Sequence, residues 1–212
     1  MVITWFGHSC FRIEGKDASL LIDPFSKDIG LRPPKIKDDV VMVTHGHYDH
    51  SNLEGLGVEN FLVKGPGEYE VKGVLIKGIQ SFHDKSQGTE RGLNTIYVIK
   101  MEDMILVHMG DFGQDALSEE QIDKIGNPDI LMVPVGGVYT INYKEAASAI
   151  RQIEPKVIIP MHYRVPGLKI DIEGSEKFLK EISLTPEKAD KTWKVQKKSL
   201  PAEEMKLVLF NA

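Results

Sequence analysis

The segment ThrHisGlyHisTyrAspHisSer at 44–51 constrains what this chain can fold into more than any other feature. It directly follows ValValMetVal at 40–43, a short apolar and β-branched run that is typical of a buried strand. Gly46 lets the backbone turn tightly just after that strand. Imidazole and carboxylate side chains bind divalent transition metals, and the segment carries four of them, His45, His47, Asp49 and His50. The sequence therefore predicts a buried strand that ends at a metal site.

Two ions, rather than one, are suggested by the spacing within this segment. Alternate side chains at the end of a strand share one side, so His45 and His47 are expected to converge on one ion. Asp49 and His50 lie further round the turn, where they can face a second ion. The alternative is a polar loop that is rich in histidine by chance. Three of the seven histidines of the chain fall within this segment, which favours the metal site.

The remaining histidines each follow or end a predicted strand, which is where functional loops are commonly placed, and they are His8, His83, His108 and His162. His162 follows the apolar run ValIleIleProMet, and the histidine-rich segment favours a ligand role over a structural hydrogen bond. His83 and His108 compete for the third position of the first ion, because His108 could instead orient the nearby Asp111.

Three oxygen-bearing residues complete the candidate site. Asp111 follows a predicted strand and could bridge two ions with one carboxylate, or it could cap a turn beside Gly110. Asp23 ends another predicted strand and could accept the free ring N–H of a ligand histidine. Thr44 could do the same through its hydroxyl group. For Asp23 and Thr44, a role in a plain turn or strand end is the alternative.

Composition limits the classes of protein to consider. The chain has 212 residues, enough for one domain over 1–212, and a net charge of −5, which does not favour nucleic acid or an anionic membrane as a partner. The single cysteine, Cys10, cannot form an intrachain disulfide. The sequence has no signal-peptide pattern and no apolar run of transmembrane length, so we expect a soluble cytoplasmic protein. The basic stretch at 191–198 is interpreted as a solvated face.

Strands are predicted to dominate the first half of the chain and to alternate with helices in the second half. Ser118, Asn142 and either Gly174 or Ser175 are predicted to begin three helices. GluAsp at 102–103 is predicted to form a tight turn between two strands, and ProPro at 33–34 a loop. This order favours an α/β sandwich of two facing sheets with helices outside.

These residues resemble the metallo-β-lactamase superfamily. Its signature, His-x-His-x-Asp-His, is matched at 45–50, and a lone histidine, a Gly-Asp pair and a late strand that ends in histidine follow in order at His83, Gly110-Asp111 and His162. Within the superfamily, the chain is most similar to small hydrolases related to L-ascorbate-6-phosphate lactonase. GlyHisSer at 7–9 and GlyProGlyGluTyrGlu at 65–70 are among the segments that favour this branch.

The resemblance implies a four-layer αββα sandwich with two divalent ions at one edge. It implies that His45, His47 and His83 hold the first ion, and that the second is held by Asp49, His50 and His162, with Asp111 as a bridge. His108 would then support the site, and His8 would be a substrate contact. The sole cysteine lies near the N-terminus and Asp111 is present, which disfavours β-lactam hydrolysis. His47 stands where the di-iron redox branch has Glu, which disfavours oxygen chemistry.

Hydrolysis is the chemistry that such a centre favours. Two bridged ions can lower the pKa of a shared water to about 7, and the resulting hydroxide can attack a carbonyl carbon or a phosphorus. Asp49 or Asp111 could accept a proton. Zn²⁺ is the expected metal, and Mn²⁺, Fe²⁺ and Ni²⁺ suit the same donors. We expect a small-molecule, ester-like substrate such as a lactone or a phosphorylated sugar derivative.

Several alternatives and details stay open at the level of sequence. The same site could serve a phosphodiesterase or nuclease, or a metal-binding protein without turnover. Small domains of this kind often pair, so a homo-oligomer is compatible with the sequence. The candidates to line the pocket are Tyr69, Arg91, Asn94, Tyr139 and Arg164.

Overall fold

The computed structural model describes residues 1–211, which form two facing β-sheets. With strands numbered in chain order, the six-stranded sheet runs β13 (Thr192–Lys194), β1 (Val2–Gly7), β2 (Cys10–Glu14), β3 (Ser19–Ile22), β4 (Val40–Val43) and β5 (Phe61–Lys64). The eight-stranded sheet runs β12 (Glu187–Ala189), β14 (Lys206–Phe210), β11 (Val157–Met161), β10 (Ile130–Pro134), β9 (Met104–His108), β8 (Leu93–Met101), β7 (Val74–Phe82) and β6 (Gly67–Val71). Both sheets mix parallel and antiparallel pairs.

Three helices connect the parallel strands of the larger sheet, and they are α1 (Glu119–Ile125), α2 (Tyr143–Ile153) and α3 (Glu176–Ile182). The predicted helix starts are confirmed. Ser118 and Gln121 form a capping box, and the side chain of Asn142 accepts from the backbone N–H groups of Lys144 and Glu145. Ser175 precedes α3 but makes no side-chain cap. Because α2 contacts both α1 and α3, the helices form one layer on this sheet.

The hydrophobic core lies between the sheets. Side chains that alternate along the strands of the smaller sheet, such as Ile3, Leu20 and Met42, are fully buried in one cluster with Ile96 and Leu106 of the larger sheet. Burial of each such side chain stabilises the fold by about 1.5–3 kcal/mol. This core fixes the relative position of the two sheets and of the loops at their edges.

The opposite face of the six-stranded sheet carries a thinner layer than the sequence predicted. Cys10, Leu21, Phe25 and Ile29 form a separate buried cluster on this face. The segment that covers them contains a 3₁₀ turn at Lys27–Ile29, and within residues 1–211 no α-helix lies between β1 and β9. The α/β sandwich and the metallo-β-lactamase fold class are confirmed, with α-helices joined to the larger sheet and mainly loop on the smaller one.

We expect the thiol of Cys10 to be inert in the folded protein. Cys10 is fully buried, and burial together with the nearby Asp23 raises the pKa of its thiol well above the usual range. A colorimetric disulfide reagent should therefore label one thiol per chain in denaturant and almost none under native conditions. Fast labelling of the native protein would contradict this and would show that the covering loop opens locally.

The C-terminal region departs from the sequence prediction. The stretch at 191–198 was interpreted as a solvated face, but it contains β13, where Trp193 is only 9% exposed and Val195 is buried in the core. Its lysines at 194, 197 and 198 are exposed, so only the charges are solvated. Strands β12 and β14 were not predicted. The tight turn at 102–103 is confirmed, with positive φ at Glu102 and Asp103, and no helix of the described residues has the length and apolar character needed to cross a membrane.

Candidate metal centre

All the histidines and three aspartates lie at one edge of the sandwich. Strands β1, β3 and β4 run in one direction in the smaller sheet, as do β7, β9 and β11 in the larger sheet. Each of these six strands ends next to at least one candidate residue, in the order His8, Asp23, His45, His83, Asp111 and His162. Open α/β sheets tend to bind ligands outside the carboxyl ends of their strands. The fold therefore collects residues that are far apart in sequence at a single edge.

The backbone at this edge adopts conformations that residues other than glycine usually avoid. His8, Asp23 and His162 have φ values of 54°, 48° and 52°, in the left-handed region. Each such residue costs about 1–3 kcal/mol, which the surrounding structure must offset. The backbone N–H of His162 donates to the carbonyl oxygen of His8 at 3.0 Å, which ties the ends of β1 and β11 together across the two sheets.

Asp111 lies at the middle of the cluster. Its Oδ2 atom is 3.1 Å from the Nε2 atom of His162 and 3.2 Å from that of His50. It is also 3.3 Å from Nε2 of His83 and 3.9 Å from Nε2 of His45. A single carboxylate oxygen thus faces four imidazoles, two from each of the predicted ion sites.

The three imidazoles predicted to hold the first ion lie close together. The metal-binding atoms of His45, His47 and His83 lie within 4.8 Å of one another. His108, the competing candidate, is turned away from them. It donates from Nε2 to the carbonyl oxygen of Ser9 at 2.9 Å and accepts at Nδ1 from the backbone N–H of Gly110. The structure therefore brings His83 into the cluster and leaves His108 behind the Gly110-Asp111 turn.

The second predicted ion site contains one histidine more than expected. His50 and His162 lie together with His8, again with their donor atoms within 4.8 Å of one another. The Oδ2 atom of Asp49 is 3.1 Å from Nε2 of His8 and 3.6 Å from Nε2 of His50. The sequence placed His8 in the substrate pocket, and the structure places it beside these donors with no exposed surface.

Asp23 and Thr44 hold two of the imidazoles by hydrogen bonds to their Nδ1 atoms. Asp23 accepts from the Thr44 backbone N–H at 2.8 Å and from the Thr44 hydroxyl at 2.7 Å. It also accepts from Nδ1 of His50 at 2.9 Å, and Nδ1 of His45 donates to the Thr44 hydroxyl at 3.0 Å. Because Nδ1 of each ring is bonded to Asp23 or Thr44, Nε2 is the nitrogen of His45 and His50 that faces the centre, where a metal ion would replace any proton on it.

Asn94 has a role that the sequence did not reveal. It was expected to line the pocket, but it is 1% exposed and lies beneath Asp111. Its side chain accepts from the Asp111 backbone N–H at 2.9 Å and donates to the Ser81 hydroxyl and the Met109 carbonyl oxygen, both at 2.8 Å. Asn94 therefore holds the turn that carries Asp111. No local pattern marks an asparagine at the start of a strand for this role.

The charges of the cluster are strongly coupled. Burial lowers the pKa of His8 to about 4 and that of His45 to about 3. Burial also opposes the charge of His50, but Asp111 and Asp23 outweigh it and hold the pKa of His50 well above the usual range. Burial would raise the pKa of Asp111, yet His162 and His50 hold it well below the usual range. Ionised carboxylates are thus enclosed here, in surroundings that favour a counter-cation.

The donor atoms fit divalent metal ions. Nε2 of His45 and Oδ1 of Asp111 are buried and have no hydrogen-bond partner. Within residues 1–211, no lysine or arginine forms an ion pair with Asp23, Asp49 or Asp111. Buried polar groups and carboxylates without partners are costly, and metal ions would satisfy both kinds of group. Imidazole and carboxylate donors without thiolate suit Zn²⁺, Mn²⁺, Fe²⁺ or Ni²⁺.

Comparison with known proteins agrees with this geometry. The sequence profile described as the beta-lactamase superfamily domain matches residues 2–162, which include every candidate metal ligand. The chain belongs to the metallo-β-lactamase superfamily. A UPF0173 metal-dependent hydrolase of Methanopyrus kandleri is 31% identical over 88% of this chain and 95% of its own length. A second UPF0173 metal-dependent hydrolase, from Thermoplasma acidophilum, is 33% identical over 76% of this chain and 82% of its own length.

A solved structure from Thermotoga maritima has the same fold. That protein is described as a candidate Zn-dependent hydrolase of the metallo-β-lactamase superfamily, and it is 34% identical, with a TM-score of 0.78. The alignment covers 99% of this chain and 97% of that one. These relatives place the chain among the metal-dependent hydrolases of the superfamily. The more specific resemblance to lactonases stays a prediction.

A cavity of about 570 Å³ opens beside the candidate metal centre of this superfamily member. Arg91 and Tyr139 line it as predicted, and the guanidinium of Arg91 lies 5.3 Å from the centre of the Tyr139 ring. The sequence missed several further lining residues, among them Tyr48, Lys169 and Asp171. Of the other predicted lining residues, Tyr69 lies in a separate cavity and Arg164 bonds to the carbonyl oxygen of Ile172.

A second cavity of about 580 Å³ contains none of the histidines. It lies beside Phe6, Arg12 and Arg32, and five cationic side chains line it. Because it lacks the imidazole and carboxylate donors, the cavity next to Asp49 and Asp111 is the one where metal-dependent chemistry can occur.

Proposed function

We propose that this metal-dependent hydrolase uses two divalent ions to hydrolyse a small ester-like substrate, such as a lactone or a phosphorylated sugar derivative. His45, His47 and His83 would hold the first ion. Asp49, His50 and His162 would hold the second, and Asp111 would bridge the two. The observation that carries this proposal is the position of Asp111 Oδ2, within 3.9 Å of imidazoles from both sets.

When bound, such ions acidify water to a pKa of about 7 and polarise the oxygen of the bond to be broken. The protein supports this chemistry by orientation. Asp23 and Thr44 keep the Nδ1 protons on His50 and His45, so that their Nε2 atoms are free to bind. Asn94 holds the backbone of Asp111 in place. In other metal sites, loss of such a supporting contact commonly lowers metal affinity or activity by about 10- to 100-fold.

The two carboxylates of the centre differ in their access to a substrate. Asp111 is enclosed by imidazoles, whereas the Asp49 side chain is 13% exposed and lines the cavity. Burial would raise the pKa of Asp49, but the hydrogen bond from His8 and the charge of His50 hold it below the usual range. Asp49 is therefore suited to accept a hydrogen bond from the attacking water and to orient it. Asp111 serves mainly to hold the centre together.

The cavity favours a small substrate with an anionic group. Its volume of about 570 Å³ is in the range of small-molecule sites. Arg91 and Lys169 line it and supply positive charge, beside the acidic side chains of Glu90 and Asp171. Asp84 accepts from the Arg91 backbone N–H at 2.7 Å and from three further N–H groups of the same loop, which fixes the position of Arg91. A phosphoryl or carboxylate group on the substrate would pair with Arg91.

This proposal is tested with protein loaded with Zn²⁺ or Mn²⁺ and offered lactones, phosphomonoesters and phosphodiesters. We expect lactone hydrolysis, with a lower KM for phosphorylated than for neutral lactones. Arg91→Gln should raise KM for the phosphorylated substrate by about ten- to a hundredfold, because a charged hydrogen bond contributes about 1.5–3 kcal/mol. KM for neutral lactones should stay the same. Arg32→Gln, in the second cavity, is the matched control and should change neither value.

Two results would favour another function over hydrolysis of a small ester-like substrate. Turnover of phosphodiesters with none of lactones would favour a phosphodiesterase or nuclease on the same centre. No turnover of any of these substrate classes by fully loaded protein would favour a metal-binding protein without catalysis.

A further inference from the structure

We propose that His8 is a direct ligand of the second ion, which would then be held by three imidazoles and two carboxylates. The inference rests on the proposed metal centre, but it is independent of the substrate. The resemblance to the superfamily does not assign this role, since it gives the second ion only Asp49, His50 and His162 with the bridging Asp111. His8 comes from the turn between β1 and β2, well before the histidine-rich segment.

The distances around His8 match the edges of one coordination shell. Two ligand atoms that are each about 2.0–2.1 Å from one ion lie about 3–3.4 Å apart at the angles of common geometries. Nε2 of His8 is 3.1 Å from Nε2 of His50 and 3.1 Å from Oδ2 of Asp49. The contacts of Asp111 Oδ2 with His50 and His162, at 3.2 Å and 3.1 Å, have the same length. Nε2 of His8 thus lies as close to two expected ligand atoms as Asp111 lies to His50 and His162, and closer than Asp49 lies to His50, at 3.6 Å.

His8 also resembles the expected ligands in its hydrogen bonds. In His8, His83 and His162, Nε2 faces the cluster and Nδ1 is buried with no partner among residues 1–211. In His108, which lies behind the cluster, both ring nitrogens are used in hydrogen bonds. His8 therefore matches His83 and His162, whereas the Nδ1 atoms of the other two buried expected ligands, His45 and His50, bond to Thr44 and Asp23. All five differ from His108 because their Nε2 atoms face the cluster and do not bond to the backbone.

The backbone holds His8 in this position. Its carbonyl oxygen accepts from the indole N–H of Trp5 at 3.1 Å and from the backbone N–H of His162 at 3.0 Å. The second of these bonds brings the rings of His8 and His162 to 4.3 Å between centroids. Because His8 adopts a left-handed conformation that costs energy, these contacts pre-organise the imidazole for a purpose other than packing.

A competing role is that of a hydrogen-bond donor. In that case Nε2 of His8 would carry its proton and donate it to Asp49, and the second ion would be held by Asp49, His50, His162 and Asp111 without His8. The two roles differ in a way that can be observed, since a ligand nitrogen carries no proton. They are not distinguished by loss of activity, because removal of a supporting donor also weakens metal sites by about 10- to 100-fold.

Nuclear magnetic resonance of histidine labelled with nitrogen-15 distinguishes the two roles in the intact chain. The probe is cadmium-113, added to two equivalents, because it shows scalar coupling to the nitrogens that bind it. We expect coupling at Nε2 of His8 as well as at the other ligand histidines, with the proton of His8 on Nδ1. A protonated Nε2 of His8 without coupling, beside coupled His50 and His162, would overturn the proposal. If none of the histidines showed coupling, the metal centre itself would be refuted.

Three variants, each with histidine changed to glutamine, provide a second measurement. A glutamine amide at position 8 can still donate to Asp49, but it cannot supply an imidazole. We expect His8→Gln to weaken one of two Zn²⁺-binding steps by more than about tenfold in calorimetric titration. His47→Gln should weaken the other step, and His108→Gln should lower stability while both steps keep their stoichiometry. Two unchanged steps in His8→Gln would contradict the ligand role.

Discussion

Replacement of Asp111 by Asn is expected to leave at most one bound ion per chain and to lower kcat/KM by more than about 100-fold, since even supporting residues of metal sites contribute 10- to 100-fold. The substitution keeps the shape of the side chain but removes the charge that faces four imidazoles. An amide also places a donor N–H where a second metal-binding oxygen is needed. The measurement is metal content per chain by elemental mass spectrometry, on protein purified without a chelating tag.

Thermal unfolding gives an independent measure of the same loss. A bound ion stabilises the folded chain by about 2.7 kcal/mol when its free concentration is one hundred times its Kd. Added Zn²⁺ should therefore raise the Tm of the wild-type chain more than that of Asp111→Asn. Asp103→Asn makes the same chemical change at an exposed turn and should behave as wild type. Two ions retained at wild-type affinity in Asp111→Asn would show that Asp111 does not bridge them.

The sequence predicted the loop that carries most of the donors because those donors are local. His45, His47, Asp49 and His50 follow one strand within six residues, so their proximity needs no knowledge of the fold. The order of His83, Asp111 and His162 along the chain then indicated the superfamily, and the family comparison confirmed it. Strand ends were predictable too, because apolar runs such as 157–161 stop at polar residues.

The position of His8 could not be derived in this way. It depends on a left-handed turn after β1 and on a backbone bond to His162, which is 154 residues away (162 − 8). The choice between His83 and His108 had the same difficulty, because both follow or end strands of the same sheet. The structure favours His83 because the His108 ring points away from the cluster and its Nε2 bonds to the backbone of Ser9, next to the other sheet. Contacts of this kind arise from tertiary packing, which local patterns do not encode.

The missed C-terminal strands illustrate a related limit. LysLeuValLeuPhe at 206–210 has a strand-like composition, but its partner β11 begins at Val157 and β12 is only three residues long. Short, charged edge strands give weak periodicity, and their pairing is set by distant elements. The basic stretch at 191–198 was interpreted from its lysines, whereas the two apolar residues between them determine its packing.

Asp23 is expected to control the second ion without binding it. Its carboxylate is 1% exposed and accepts three hydrogen bonds, from the Thr44 backbone, the Thr44 hydroxyl and Nδ1 of His50. In Asp23→Asn, one of these acceptors becomes an N–H donor. The Nδ1 proton of His50 then loses its partner, and the ring is no longer held in the tautomer that leaves Nε2 free. We expect the second ion to bind about 10- to 100-fold more weakly.

Loss of stability alone could also weaken metal binding, and Asp129 provides the matched control. It is another buried carboxylate, 2% exposed, and it accepts from the Ile105 backbone N–H, Lys156 and Lys197, far from the cluster. Asp129→Asn and Asp23→Asn both remove the charge of a buried carboxylate that accepts three hydrogen bonds, although the lysine partners of Asp129 are themselves nearly half exposed. Asp129→Asn should destabilise the chain in urea denaturation without changing either metal-binding step.

The comparison of the two variants separates orientation from stability. If Asp23→Asn and Asp129→Asn lose similar stability but only Asp23→Asn weakens the second binding step, the hydrogen bond to His50 is responsible for the difference. Equal weakening in both variants would instead mean that metal binding follows global stability. Calorimetric titration with Zn²⁺ decides between these outcomes. Both proteins are titrated without denaturant, at a temperature well below both Tm values. The His50 ring lies between Asp23 and Asp111, with Nδ1 next to the first and Nε2 next to the second. The result therefore also tests whether Asp23 acts on the second ion through this ring.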